Sequence, residues 1–148
     1  MKQKRKILYI KWITTVILAL LFYLIIPYVG ITLIIRNYPF IKSIFAETLS
    51  LLILVGIVLT ILSFLNSYLR KGTKQKYFTN CVYIIFLLAW LYLIFGGRMV
   101  LSASYYGNIF FIDITNLFYL LLLVLFLNFL YYTFEYVVYR RKLVTRNQ

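Results

Sequence analysis

Residues 114–134 read ITNLFYLLLLVLFLNFLYYTF. The stretch holds no charge, and between Asn116 and Thr133 a single amide, Asn128, interrupts apolar and aromatic residues. As a helix, a run of this length covers the roughly 30 Å of bilayer hydrocarbon. A membrane-barrel strand would alternate apolar with polar residues, whereas Leu120 to Leu127 is apolar on every face. The stretch therefore reads as a membrane-spanning helix that continues past Glu135 to Tyr139.

Three more runs of the same kind precede it. No charge lies between Lys11 and Arg36, a second run extends from Thr48 to Leu69, and a third from Tyr77 to Phe95. The spans are placed at about 11–29, 47–69, 77–95 and 113–139 of a single transmembrane domain, residues 1–148. The expected fold is an all-α integral membrane protein, a four-helix transmembrane bundle whose short connections make neighbouring helices antiparallel. Composition agrees: 64% of residues are apolar and only 13% charged, with a mean hydropathy of +0.93. A soluble domain is about a quarter charged, and a disordered chain has low hydrophobicity.

Sixteen Lys and Arg face three Asp and Glu, and their placement carries orientation. Lys2, Lys4, Arg5, Lys6 and Lys11 precede the first span; Arg70, Lys71, Lys74 and Lys76 link the second to the third; Arg140, Arg141, Lys142 and Arg146 follow the fourth. Only Arg36, Lys42 and Arg98 occupy the other two loops. The positive-inside rule then predicts a multi-pass protein of the cell membrane with both termini cytoplasmic, N-in and C-in. Aromatic residues repeat the pattern, because amphipathic rings favour the headgroup layer. Tyr9, Trp12, Tyr68, Tyr77, Tyr131, Tyr132, Tyr136 and Tyr139 fall at the expected inner boundary, and Tyr28, Trp90 and Tyr92 toward the outer one. The basic N-terminus precedes a run too long for a signal-peptide core and without a small-x-small cleavage site, so an uncleaved first span is expected.

The loops carry their own signals. Pro27 lacks an N–H and is expected to end or kink the first helix, with a turn at Asn37-Tyr38-Pro39. Ser43 is expected to cap the second helix, with Glu47 in its first turn. Gly72 is expected to stop the second helix. Between helices 3 and 4, Met99 to Tyr106 and Ile109 to Ile112 flank Gly107-Asn108, which predicts a small extracytoplasmic β-hairpin. Arg98 and Asp113 bracket it, and an outer ion pair between them would fix its base.

Polar side chains at membrane depth are costly and point to function or to helix contacts. On helix 2, Gly56, Thr60, Ser63 and Ser67 share a stripe about 60° wide, with Asn66 beside it. On helix 4, Asp113, Asn128 and Glu135 lie within about 60° of one another. Thr60, Ser63, Asn66, Asn128 and Glu135 are therefore the candidate intramembrane polar cluster. In one reading Asn128 bonds across to Thr60 or Ser63 as interhelical glue; in the other these groups line a path.

Enzyme chemistry is short of parts. With no histidine and one cysteine, Cys81, no zinc or haem ligand set of recognisable type is expected. The three acidic residues are spread over helix ends and loops on both sides of the membrane, which argues against a carboxylate pair or a Mg²⁺ phosphoryl-transfer site. No catalytic residue, metal site or cofactor is expected. Expected partners are the bilayer, anionic lipid headgroups at the basic cytoplasmic face, and a membrane-protein partner or further copies of the chain, but not nucleic acid. The leading expectation is a non-catalytic accessory or structural subunit of a membrane assembly. The alternative is a small oligomeric transporter or channel with a polar path along helices 2 and 4.

Overall fold

The apolar runs form four helices in a computed structural model that describes residues 12–45, 48–105 and 108–145. Of residues 40, 43, 103–105, 108, 110 and 142–145, only the backbone is described. Helix α1 is Trp12–Asn37, α2 Thr48–Tyr68, α3 Lys74–Ile94 and α4 Thr115–Thr145. All four are long and apolar enough to cross a membrane. A two-stranded antiparallel sheet, β1 Val100–Tyr105 and β2 Asn108–Asp113, joins α3 to α4.

Helix α1 is longer than expected. Pro27 neither ends it nor separates it into two elements, because residues Leu21–Ile25 immediately before the proline wind as a π-helix. There the Ile26 N–H reaches back five residues to the Leu21 carbonyl. A π-turn of this kind absorbs the proline, provided that the backbone group it frees finds another partner. The helix then continues to Asn37, and Pro39 opens a short 3-10 turn, Pro39–Ile41, followed by one α turn, Lys42–Phe45. The Ser43 side chain and Glu47 lie outside the described residues.

The α2–α3 link works as its sequence suggests. Gly72 has φ +81°, a left-handed conformation that glycine adopts without penalty. Thr73 caps α3 by accepting from the Lys76 N–H at 3.3 Å, and its hydroxyl donates to the Arg70 carbonyl at 2.8 Å. This cap starts α3 at Lys74, ahead of the expected start of the span. The Lys76 ammonium turns back onto the end of α2, donating to the carbonyls of Asn66 (3.0 Å) and Leu69 (3.4 Å), two acceptors that a helix C-terminus leaves open.

The hairpin forms where the sequence placed it, with its pairing offset by one residue: Tyr105 faces Asn108 and Val100 faces Asp113. Residues 106 and 107 lie outside the described residues. At its base the Ile114 N–H donates to the Met99 carbonyl at 3.0 Å.

The core is small and is centred on α2. Leu59 and Leu52 are the most enclosed side chains, grouped with Ile31, Ile44, Phe45 and Trp90. A third of the α2 span is buried, against about a tenth of each other span; most apolar side chains of α1 and α4 face outward, and those of α3 are mostly half-buried. Main-chain packing follows chain order: α1 on α2, α2 on α3, α3 on α4.

Candidate functional site

The polar groups in the middle of the helices converge around Tyr23. In a regular helix the Pro27 N–H would bond the carbonyl four residues earlier, that of Tyr23. Proline has no N–H to give, and the Trp90 indole N–H takes its place, donating to the Tyr23 carbonyl at 3.1 Å. Ring contacts fix the geometry: Trp90 meets the Tyr23 ring edge-on, with centroids 5.3 Å apart and planes at 88°. The Tyr23 hydroxyl bonds the Tyr83 hydroxyl, so one residue of α1 is held twice by α3. Helix α2 closes the third side through Gly56, where a Cβ would stand 2.6 Å from the same Tyr23 carbonyl oxygen.

The helix-2 stripe belongs to this cluster. Thr60 is buried, and its hydroxyl donates to the Gly56 carbonyl of its own helix at 2.9 Å. Ser63 lies beside Tyr83 and on the wall of a groove of about 520 Å³ that also touches Leu18, Ala19, Phe22 and Trp90. Those walls are nearly all apolar and suit a hydrocarbon chain better than a hydrated solute. Asn66 lies further along α2, its Oδ1 buried and without a partner among the described residues.

Asn128 does not join them. Its side chain is exposed on α4 and, among the described residues, has no hydrogen-bond partner, so the expected bond to Thr60 or Ser63 is not made. Tyr132, one turn on, occupies the face turned toward Tyr23 and Tyr83.

Glu135 belongs to a separate cluster at the end of the helices that carries the α2–α3 link. Its carboxylate, 8% exposed, pairs with the Lys71 ammonium at 2.5 Å. That hydrogen bond and charge raise the Lys71 pKa above its ordinary value. The Lys71 ammonium also stands 5.3 Å over the Tyr139 ring. Gly72 permits the approach, since a Cβ there would come within 2.8 Å of the Tyr139 main chain. Tyr77 stacks on Tyr136 at 5.0 Å, and Arg140 donates to the Tyr136 hydroxyl at 2.8 Å. A small cleft remains among Thr73, Lys76, Asn80, Tyr132 and Glu135, with room for about one water.

At the opposite end the expected Arg98–Asp113 ion pair is absent. The Asp113 carboxylate instead accepts from the Thr115 N–H at 2.9 Å, capping α4, and the Thr115 bonds hold its pKa below the ordinary value. A carboxylate at a helix N-terminus already has donors and a favourable dipole, whereas an exposed ion pair adds little.

The central residues that the sequence reading did not single out are Tyr23, Tyr83 and Trp90. Tyrosine and tryptophan in such a chain read first as interfacial belt residues, a reading that says nothing of which helix they pack on. Trp90 is a core residue, 9% exposed. The signal was Pro27, which implies a needy carbonyl at Tyr23 and hence a donor nearby. Among the described residues no group of three His, Cys, Asp or Glu could hold a metal ion. Compared with protein-family models, curated proteins and solved structures, the chain matches none of them.

Proposed function

We propose that this chain is a non-catalytic accessory or structural subunit of a membrane assembly, a four-helix bundle crossing the cell membrane four times with both termini cytoplasmic. One observation carries the reading: the polar groups of Tyr23, Tyr83, Trp90 and Thr60 on α1 to α3 are all engaged within the bundle. Tyr23 bonds Tyr83, Trp90 bonds the Tyr23 carbonyl, and Thr60 bonds its own helix. Groups held this way position helices, and they are not available to line a solute path or to act on a substrate. The separation of Asn128 from the helix-2 stripe also weighs against a shared path along α2 and α4. The charge asymmetry supports the orientation. At the basic face, Lys71, Lys76 and Arg140 have structural partners, which leaves exposed Arg70 and Lys74 to meet anionic headgroups.

The test is reconstitution of the purified chain alone in vesicles, beside cross-linking of the tagged chain in its native membrane. The proposal expects no ion or solute flux in the vesicles and a defined cross-linked neighbour in the membrane. Flux that Tyr83→Phe alters would contradict it.

A further inference from the structure

Asn128 lies inside the uncharged run 114–134, about 9 Å of helical rise from its Phe134 end. Its short side chain does not cover that distance to the headgroup layer. The amide carries two donor hydrogens and an acceptor oxygen. Exposed on α4 with no partner among the described residues, it would leave all of them unbonded in lipid, a costly arrangement.

We infer that a second copy of this chain covers this face, with Asn128 bonding Asn128 across a two-fold axis along the membrane normal. The inference rests on the membrane-spanning part of the reading above and names a partner for it. Two features favour a like copy. An amide is both donor and acceptor, so it complements itself, as an isologous contact requires. Copies of one chain also insert with one orientation, so such an axis brings the two α4 helices together in parallel, with the same residue meeting itself at the same depth. A different partner would need its own polar group at the same depth.

The neighbouring residues fit this geometry. Leu117, Leu121, Val124, Asn128 and Tyr131 follow one another at alternating four- and three-residue steps, the seam of a left-handed helix pair. Leu117, Val124 and Tyr131 are about half exposed, at 47%, 46% and 58%. The next seam position is Glu135. Lys71 neutralises it within each copy, so two seams approach there without like-charge repulsion. A lone asparagine in such a seam fixes register and partner number.

The experiment uses the full chain in phosphatidylcholine–phosphatidylglycerol vesicles, with energy transfer between donor- and acceptor-labelled copies followed as lipid is added. Wild type is expected to dimerise, Asn128→Gln to retain most of the association, and Asn128→Leu to need about ten-fold more protein per lipid, as loss of such bonds implies. With Asn128 kept and Cys81→Ser as background, Val124→Cys should cross-link between copies, and Phe126→Cys on the far face should not. Monomers at every density, dimers indifferent to Asn128→Leu, or equal cross-linking at both positions would overturn the inference. None of these results depends on flux or on a neighbour in the native membrane, so the functional proposal stands or falls separately.

Discussion

The Trp90 indole donates to the Tyr23 carbonyl at 3.1 Å, and in a regular α-helix that carbonyl is the one Pro27 would leave without its donor. A defect in α1 is thereby repaired from α3. Trp90→Phe keeps most of the ring and removes the donor, so it should destabilise the protein by roughly 1–3 kcal/mol, the penalty for an unsatisfied buried acceptor. Pro27→Ala restores an N–H four residues along. In that background Trp90→Phe should cost less, and reversible unfolding in mixed detergent micelles across the four variants measures the coupling. Equal costs in both backgrounds would remove the link.

Gly56 tests the approach of α2 to the same carbonyl. A methyl group there meets backbone at 2.6 Å and the Leu24 side chain at 2.8 Å. Gly56→Ala must push α1 away, which should cost about 1–3 kcal/mol despite alanine's better helix propensity. Gly30→Ala is the control, because nothing stands within 4 Å of its added Cβ. Thermal melts of the two variants should move in opposite directions or differ by several degrees.

The Lys71–Glu135 pair gives a pH dependence with a defined sign. The Lys71 pKa is raised by its partner, so its contribution is fully present below the ordinary lysine value of 10.5 and is lost as pH rises through the raised one. Glu135→Gln should therefore be less stable than wild type at neutral pH, and as the pH is raised the gap should close only in the strongly alkaline range. A gap that closed between pH 6 and 8 would mean that another group titrates there.

The four long apolar helices and the hairpin were legible because each has a local cause: uninterrupted apolar length for the helices, and a short polar-turn signal between two β-forming runs for the hairpin. The end of α1 was misread because proline's effect depends on a donor 63 positions away. Arg98 and Asp113 bracket the hairpin in sequence, yet Asp113 finds a nearer partner in the Thr115 N–H. The polar cluster was half legible. Helical phase placed Thr60 and Ser63 on one face, but phase alone does not say which neighbour a face meets. That is why Asn128, in register with Glu135 on the helical wheel, proved to share no contact with the stripe on α2.

The depth of Asn128, the sidedness of Lys71 and the aromatic boundaries all depend on four crossings with both termini cytoplasmic. The direct test is cysteine labelling in intact cells with a membrane-impermeant maleimide, in a Cys81→Ser background. Ile109→Cys on the hairpin and Lys74→Cys at the start of α3 are both exposed positions. Ile109→Cys should label in intact cells, and Lys74→Cys only after permeabilisation. The reverse pattern, or labelling of both from outside, would contradict this topology.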